Sequence, residues 1–245
     1  MDKKLLICIA YHYNPNKLTY LKSVLDNFLG YNLDTTIFVD TNSYETVDSL
    51  LDYPNVFVYV HTKLKHPHHL AWIHRQHMES LLDDFDYFMY IEDDIIIPFE
   101  NFKVYLNNFE NLFPSYIPSF IRLEHKKEDL FIVDVQKRVN LSEKEIISIN
   151  NKNFITLERP YHAFWIMPSK ELKESITNDF VRYNECREMA ASYPMSELKK
   201  RPLIMLDGDK ISSLCYSFHL PNNYVNMEGL GHKFGRIKIE DLINT

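Results

Sequence analysis

Residues 87–98 read YFMYIEDDIIIP, an apolar run that ends in three consecutive carboxylates and is followed by a second apolar run closed by proline. The first run is typical of a strand buried on both faces of a sheet. Burying carboxylates is costly unless a cation neutralises them. Magnesium and manganese prefer oxygen ligands and also bind phosphates, so Glu92, Asp93 and Asp94 predict a metal and phosphate site at the end of this strand. A solvated acidic loop between two strands is the alternative.

The composition favours an ordinary globular protein of 245 residues, long enough for one large domain. Only five glycines are present, and neither GxGxxG nor GxxxxGK[ST] occurs, so metal and basic side chains must hold any bound phosphate. The net charge of −7 argues against a nucleic-acid partner. Three widely spaced cysteines indicate reduced thiols in a cytoplasmic protein. The first apolar run is too short for a signal peptide or a transmembrane segment.

The first sixty residues alternate between apolar runs and helical periodicity. LLICIA (5–10), TTIFVDTN (35–42) and VFVYV (56–60) predict strands, with helices over 17–29 and 43–51 between them. This order predicts an α/β fold with a mixed, mostly parallel sheet flanked by helices. Because ligands bind beyond the carboxyl ends of parallel strands, we expect Tyr11, His12, Asp40 and the acidic triplet at one edge.

Residues 61–84 hold six of the eleven histidines. Their spacing matches no standard zinc pattern, and no cysteine is near. From Leu70 onward the apolar spacing is helical and places Arg75 near the start of a helix. A guanidinium there could bind a diphosphate through two planar hydrogen bonds, or it could be a solvated surface arginine.

The second half of the chain contains three further features. RPYHAFWIMP (159–168) predicts a strand whose Tyr161, His162 and Trp165 could pack against a sugar ring or belong to the core. PLIMLDGD (202–209) is a buried run that again ends in acids, and a short helix is expected after it, through Phe218. Residues 219–236 hold three of the five glycines, which suggests a loop that folds over a ligand.

Taken together, these features resemble the GT-A fold of nucleotide-sugar-dependent glycosyltransferases with a DxD-type motif, similar to glycosyltransferase family 2. The resemblance covers most of the chain in element order, and the acidic motif is its specific part. The residues that carry it are 9–12, Asp40, Arg75, 92–94, 161–168, 207–209 and the tail around His232. It implies one continuous domain, with a nucleotide-sugar-binding half (1–98) and an acceptor-binding half with the C-terminal tail (99–245).

The resemblance also implies roles for individual residues. It implies a manganese or magnesium ion held by Asp94, Glu92 and His232, although His232 could also be an ordinary surface histidine. It implies a nucleoside-diphosphate-sugar donor bound by Tyr11, His12, Asp40, Arg75, Glu92, Asp93, Lys233 and Arg236. The acceptor would be bound by Tyr161, His162 and Trp165.

An inverting enzyme of this kind needs a carboxylate to take the proton of the acceptor hydroxyl. The resemblance implies Asp209 for this role, with Asp207 second, although the usual Glu-Asp pair is replaced here by Asp-Gly-Asp. An Asx turn with a helix N-cap would explain the same residues. A retaining enzyme would need no such base.

The function predicted from the sequence is therefore metal-dependent sugar transfer from a nucleoside-diphosphate sugar to a glycan or polysaccharide acceptor. Two alternatives remain open. A nucleotidyltransferase or nucleotide-sugar hydrolase would use the same carboxylates for its metal, and a non-catalytic sugar-binding module would bind without metal.

Overall fold

The computed structural model describes residues 3–135, 137–157, 161–227 and 234–244. The strands are β1 (Lys4–Tyr11), β2 (Asp34–Thr41), β3 (Val56–Val60), β4 (Tyr87–Glu92), β5 (Ile95–Ile96), β6 (Tyr116–Pro118), β7 (Ile121–Lys126), β8 (Asp129–Ile132), β9 (Val139–Asn140), β10 (Ile147–Ile149), β11 (Lys152–Ile155), β12 (Phe164–Pro168), β13 (Arg201–Asp207), β14 (Lys210–Ile211), β15 (Tyr216–His219), β16 (Ile237–Lys238) and β17 (Ile243–Asn244). The α-helices are α1 (Leu18–Leu29), α2 (Glu45–Ser49), α3 (His74–Ser80), α4 (Phe99–Leu112), α5 (Ser169–Ser175), α6 (Arg187–Ala190), α7 (Tyr193–Ser196) and α8 (Asn223–Asn226). Short 3-10 helices cover Pro15–Lys17, Pro67–Trp72, Leu141–Glu143, Ser213–Cys215 and Ile239–Asp241. Within the described ranges, no helix has the length and apolar character needed to cross a membrane.

The chain folds into two compact units. The first unit comprises Met1–Asp94 and Ala163–Tyr193, and the second comprises Ile95–His162 and Pro194–Thr245. The chain therefore leaves the first unit directly after the acidic triplet and returns to it at Ala163 for one further strand and two short helices.

The first unit is built on a five-stranded sheet in the order β12-β4-β1-β2-β3. Strands β1 to β4 run parallel, and β12 pairs antiparallel with β4. The predicted α/β fold with a mixed, mostly parallel sheet flanked by helices is confirmed. The register sets Ala10 level with Asp40 on one side and with Glu92 on the other, so the carboxyl ends of three neighbouring strands lie side by side.

The core of this unit explains why its strands have nearly continuous apolar sequences. Leu5 to Ile9 on β1 are fully buried, as are Phe88, Met89 and Ile91 on β4, because helices cover both faces of the sheet. Helix α1 buries Leu21, Val24, Leu25 and Phe28, one face of a helix at the spacing seen in the sequence.

The strand order reverses direction at β1. The chain adds β2 and then β3 on one side of β1, and it then adds β4 on the other side. Right-handed crossovers place α1 and α2 on one face of such a sheet and α3 on the opposite face. The crevice beyond the carboxyl ends of β1 and β4 is therefore the topological switch point, where ligands bind in open α/β sheets.

The second unit contains two further five-stranded sheets and a two-stranded one. One sheet has the order β10-β11-β13-β14 with β6 also paired to β13, a second has the order β16-β8-β7-β15-β5, and β17 pairs with β9. The short helix predicted after Asp209 is wrong: β14, a 3-10 helix and β15 occupy that stretch. The predicted helix does not form because a tight turn at Gly208 folds the chain directly back onto β13.

The second unit also buries charged side chains in pairs. Arg122 donates two hydrogen bonds to Asp134, at 2.7 and 3.1 Å. Glu124 is fully buried and accepts hydrogen bonds from the His219 ring, at 2.5 Å, and from the backbone N–H of Val225, at 2.8 Å. Hydrogen-bonded pairs of this kind hold together the strands that carry them, because moving one partner away would leave the other as an unpaired buried charge.

Candidate functional site

The first unit contains a cavity of about 270 Å³ at the carboxyl ends of β1 and β4. It lies at the topological switch point of the sheet. Its lining combines acidic, basic and apolar side chains from four separate stretches of the chain: Ala10, His12, Lys17, Pro67, His68, Leu70, Ala71, Tyr90, Glu92, Asp93 and Arg187.

Two carboxylates line the cavity. Glu92 is the last residue of β4, and Asp93 follows it in the turn. The pKa of Asp93 is raised to about 7, first by burial and then by the charge of Asp94 beside it, while Lys17 acts in the opposite direction. A carboxyl group whose pKa is raised in this way lies where negative charges are close together, and a cation bound there would be stabilised.

Two basic groups also line the cavity. Lys17 ends the 3-10 helix that follows β1, and Arg187 begins α6. The Nε atom of Arg187 lies 3.6 Å from Oε1 of Glu92, so the two charges face each other within the cavity. The His12 and His68 rings also line the cavity.

Arg187 reaches the cavity because the chain returns to the first unit. Strand β12 pairs with β4 along Phe164–Pro168, and its Trp165 donates from Nε1 to the carbonyl of Ala190 at 3.0 Å. That bond ties the end of α6 to the edge of the sheet. Helix α6 thus presents its first residue, Arg187, beside Glu92.

The apolar wall comes from the 3-10 helix Pro67–Trp72. His66 caps this helix by accepting the N–H of His68 at 3.2 Å. The His68 ring donates from Nδ1 to the carbonyl of Glu185 at 2.8 Å. Two segments that are far apart in sequence therefore hold the His68 ring in one orientation.

A pair of tilted rings lies at the base of the cavity. His74 packs on Tyr90 with ring centroids 4.2 Å apart. Burial, followed by the neighbouring Arg75, lowers the pKa of His74 well below its usual value, so its ring is neutral. Its Nδ1 donates to the carbonyl of Ala71 at 2.8 Å. This pair fixes Tyr90 and the 3-10 helix against each other.

Three of the residues predicted from the sequence line this cavity: His12, Glu92 and Asp93. Asp94 is buried next to them but does not line it. Tyr11 points into the protein, where its hydroxyl donates to the carbonyl of Asn14 at 2.8 Å. The loop after β1 therefore contributes His12 and Lys17 to the cavity, and Tyr11 holds the loop in shape.

Asp40 lies level with Glu92 on the sheet, but two histidines surround it. His61 and His77 each approach Oδ1 of Asp40 with Nε2, at 2.8 and 3.0 Å. Asp40 is 1% exposed and does not line the cavity. Its observed contacts join the end of β2 to the end of β3 and to α3.

Arg75 is fully buried within a cage of aromatic rings. The guanidinium carbon lies 4.2 Å from the ring centre of Trp72, 4.9 Å from that of Tyr193 and 5.1 Å from that of Phe180. It also donates to the carbonyl of Phe180 at 3.1 Å. Within the described structure Arg75 joins α3 to the returning segment, and it does not line the cavity.

The predicted acceptor residues lie in different surroundings. Trp165 belongs to the first unit and is almost fully buried. His162 is buried in the second unit and accepts at Nε2 from the backbone N–H of Phe120 at 3.2 Å; burial lowers its pKa to about 3, so it is neutral. Tyr161 packs over the guanidinium of Arg122 at 5.1 Å.

The remaining predicted residues lie in the second unit or outside the described ranges. Asp207 and Asp209 are exposed, on either side of Gly208 in the turn between β13 and β14. Arg236 is exposed and donates to the carbonyl of Met227 at 2.9 Å. His232 and Lys233 lie outside the described residues.

Sequence reasoning did not find Lys17, His68 or Arg187. Lys17 could have been predicted from its position, because it lies in the loop after the first strand and such loops border the ligand crevice. No local signal could have identified Arg187, since it lies about ninety residues after the acidic motif and its position depends on the pairing of β12 with β4.

Among the described residues, no group of three or more His, Cys, Asp and Glu side chains is arranged to hold a metal ion. Magnesium, however, is commonly held by one or two carboxylates together with the phosphates of a substrate. Glu92 and Asp93 supply that number of hard oxygen ligands, and the raised pKa of Asp93 indicates charge that a cation would balance. The residues present therefore fit a phosphate-bound divalent cation.

Among known proteins, the chain is similar to several solved structures, all at low sequence identity. No family model and no curated protein matches the chain. The structure is similar to that of CMP:2-keto-3-deoxy-manno-octonic acid synthetase complexed with CTP, at 10% identity and a TM-score of 0.45, over 82% of this chain and 89% of that one. It is also similar to S. aureus TarS in complex with UDP-GlcNAc, at 14% identity and a TM-score of 0.41, over 94% of this chain and 60% of that one.

A third similar structure is 4-diphosphocytidyl-2C-methyl-D-erythritol synthase from Anaerococcus prevotii DSM 20548. It shares 10% identity and a TM-score of 0.40, over 86% of this chain and 91% of that one. At identities of this size, the function has to be argued from the residues of this chain.

Proposed function

We propose that this protein is a metal-dependent transferase that binds a nucleoside-diphosphate sugar and transfers the sugar to a glycan or polysaccharide acceptor. One observation carries the proposal: a cavity at the switch point of the sheet whose lining includes the carboxylates of Glu92 and Asp93 together with the basic groups of Lys17 and Arg187. A lining that combines acidic and basic groups suits a ligand that is anionic itself and arrives with a cation.

The basic groups of the lining suit a diphosphate. Lys17 is partly exposed and Arg187 is exposed, so both side chains are accessible to an anion that enters the cavity. Arginine binds phosphate oxygens with two parallel hydrogen bonds, and lysine acts as a point charge. These side chains supply what a glycine-rich phosphate loop would supply in other nucleotide-binding proteins.

The volume suits part of such a ligand. About 270 Å³ lies just below the ~300–1,000 Å³ typical of small-molecule pockets. The apolar wall of Leu70 and Ala71 and the ring of Tyr90 offer surfaces for a ribose or a base.

Glu92 and Asp93 would hold the cation, since they are the carboxylates that line the cavity. When bound, a divalent cation neutralises charge that develops on the leaving diphosphate. The residues of this chain would then bind the diphosphate through Lys17 and Arg187 and orient the nucleoside against Tyr90. Asp94 and His232, implied as ligands by the resemblance, stay predictions.

The finer parts of the proposal concern the acceptor. Asp209, with Asp207 second, is proposed as the base of an inverting reaction, and Tyr161, His162 and Trp165 as acceptor contacts. These assignments rest on the resemblance to the GT-A glycosyltransferases. They are tested separately from the nucleotide site.

The experiment begins with nucleotide binding. The protein is titrated calorimetrically with UDP, GDP, CDP and dTDP, each with and without manganese, and the tightest nucleotide is then supplied as its sugar conjugates. Release of the nucleotide is followed with and without glycan acceptors. We expect binding that requires manganese, and release that requires an acceptor.

Lys17→Ala is the informative variant, because it removes a basic group from the cavity wall. We expect at least tenfold weaker nucleotide binding, equivalent to about 1.4 kcal/mol. Lys173→Ala is its matched control, since Lys173 pairs with Asp83 on the exposed surface of the same unit. Equal affinities in the two variants would place the nucleotide elsewhere.

The same assay separates the alternatives. A nucleotidyltransferase would release pyrophosphate from a nucleoside triphosphate, and a nucleotide-sugar hydrolase would release nucleotide without acceptor. A non-catalytic sugar-binding module would bind sugar at equal strength with manganese or with a chelator.

A further inference from the structure

Strand β3 forms one edge of the sheet in the first unit. Its side chains are exposed in alternation, with Phe57 51% and Tyr59 37% exposed on one face. Among the residues that the structure describes, no strand pairs with its outer edge. An apolar edge of this kind is a ready template for pairing with another strand.

The opposite edge of the same sheet is protected. Every residue of β12 is buried except Pro168, which ends the strand and cannot donate a backbone hydrogen bond. Strand β3, by contrast, has no charged residue and no proline among its five residues. The usual protective devices are therefore present at one edge and missing at the other.

The backbone of β3 has a defined direction at its free edge. The carbonyl of Asn55 accepts from Ile37 on β2, and the N–H of His61 donates to Thr41 on β2. Backbone groups alternate sides along a strand, so Phe57 and Tyr59 also direct their N–H and C=O groups to β2. Val56, Val58 and Val60 direct theirs outward.

The sequence of the strand is symmetric about Val58. VFVYV reads as valine, aromatic, valine, aromatic, valine in both directions. In an antiparallel pair centred on Val58, that residue exchanges both backbone hydrogen bonds with Val58 of the partner subunit. Val56 does the same with Val60 of the partner subunit, because these are the residues whose backbone groups face outward.

The same arrangement brings the aromatic rings together. Phe57 lies opposite Tyr59 of the partner subunit at a position without ladder hydrogen bonds, where cross-strand side chains approach most closely. Aromatic cross-strand pairs stabilise a ladder of this kind. The two rings already pack edge-to-face on Phe38, at 5.8 and 5.0 Å, so they are ordered before any partner arrives.

We infer that two copies of this chain associate through β3, in antiparallel register centred on Val58, so that their sheets join into one. The pairing is two-fold and uses the same surface on both copies, so it closes as a dimer. A five-residue strand is only about 17 Å long, which places the contact at the small end of specific interfaces. A dissociation constant in the micromolar range is expected.

The test is sedimentation velocity from about 1 to about 200 µM, a range that brackets a micromolar constant. Wild type is expected to shift from the mass of one chain, 29.3 kDa, to twice that mass as the concentration rises. Val58→Pro removes an outward N–H that the monomer does not use, so it should stay at the mass of one chain. Val58→Thr keeps that N–H and the β-branched shape, and it should dimerise like wild type.

Val58→Lys provides a second way to disrupt the contact if the proline variant does not fold, because it sets two like charges opposite each other at the two-fold axis. Amide hydrogen exchange gives the residue-level readout. The amides of Val56, Val58 and Val60 should gain protection with concentration, while those of Phe57 and Tyr59 are protected throughout.

A single-chain mass for wild type across the whole range would overturn the inference. So would dimerisation of Val58→Lys equal to that of wild type, which would place the interface elsewhere. Masses that keep increasing beyond twice 29.3 kDa would also overturn it, because this pairing closes at two copies.

Discussion

Two acidic motifs in this chain follow buried strands and reach different surroundings. Glu92-Asp93-Asp94 ends β4 at the switch point of a parallel sheet, beside a cavity and facing Arg187. Asp207-Gly208-Asp209 ends β13 and forms an exposed turn that leads straight into β14. In sequence, each is an apolar run followed by carboxylates.

The difference lies in the neighbours of each strand end. The end of β4 lies level with the ends of the parallel strands β1 and β2, and the two-residue turn after it leads to β5, which pairs with β15 in another sheet. The end of β13 belongs to a hairpin, in which a two-residue turn with glycine in its first position, at φ of +59°, folds the chain back onto β13 as β14. Carboxylates after a strand therefore indicate a ligand site only when the topology gathers several strand ends around them.

The largest effect is expected from comparing Asp93→Asn with Asp209→Asn. Asp93→Asn should weaken manganese-dependent nucleotide binding at least 100-fold, since it removes a carboxylate that lines the cavity. Asp209→Asn should leave nucleotide affinity within twofold of wild type and slow sugar transfer about 100-fold, the usual contribution of a general base. Calorimetry measures the first quantity and acceptor-dependent nucleotide release the second.

Asp207→Asn is the control for that comparison, because it changes the neighbouring carboxylate of the same turn. Transfer at the wild-type rate in Asp209→Asn would remove Asp209 from the reaction and leave it as a turn residue. Unchanged nucleotide binding in Asp93→Asn would instead remove the acidic motif of β4 from the site.

A second, smaller effect is a pH dependence of stability. The pKa of Asp93 is about 7 in the folded protein and about 3.9 in an unfolded chain. Between these values the folded state binds more protons, so this group lowers the free energy of unfolding as pH rises from about 4 to about 7. Urea unfolding with a chelator present should show that decline in wild type relative to Asp93→Asn.

His162 changes stability with the opposite sign and serves as an internal reference. Its pKa is lowered to about 3 by burial and then by Arg122, so its contribution to stability rises with pH from about 3 to about 6.5. Wild type and Asp93→Asn share that contribution, and their difference isolates Asp93. If the free energy of unfolding of the two proteins changed with pH in the same way, neighbouring negative charges would not raise the pKa of Asp93 at the end of β4.

The smallest effect concerns the turn between β13 and β14. Gly208→Ala should lower the free energy of unfolding by about 1 kcal/mol, because a side chain at positive φ is strained although the space around it is open. Gly208→Asn should cost less, since asparagine adopts this conformation more readily. Chemical denaturation of the two variants provides the measurement. Equal stability of Gly208→Ala and wild type would contradict the assigned turn.

Local sequence was sufficient for the sheet of the first unit. The runs at 5–10, 35–42, 56–60 and 87–92 each become a parallel strand. The central strands β1 and β4 are covered on both faces, and such strands need an apolar residue at nearly every position. The strand order alone predicts that His12, Glu92 and Asp93 lie at one edge of the sheet. The reason is that the carboxyl ends of parallel strands lie at the same edge, whatever side chains they carry.

Local sequence was insufficient wherever distant segments determine the surroundings of a side chain. Helical spacing placed Arg75 near a helix start, but rings from Phe180 and Tyr193 enclose it. Asp40 is surrounded by His61 and His77, and Arg187 reaches the cavity through the pairing of β12. No periodicity within a short window contains this information.

The return of the chain at Ala163 has a practical consequence for dissecting this protein. A fragment that stops at Asp94 would contain the acidic motif and Lys17, yet it would expose the β4 edge that β12 covers and remove the rings of Phe180 and Tyr193 from around Arg75. It would also lack Arg187 opposite Glu92. The smallest piece able to reproduce the cavity must therefore join two separate stretches of sequence.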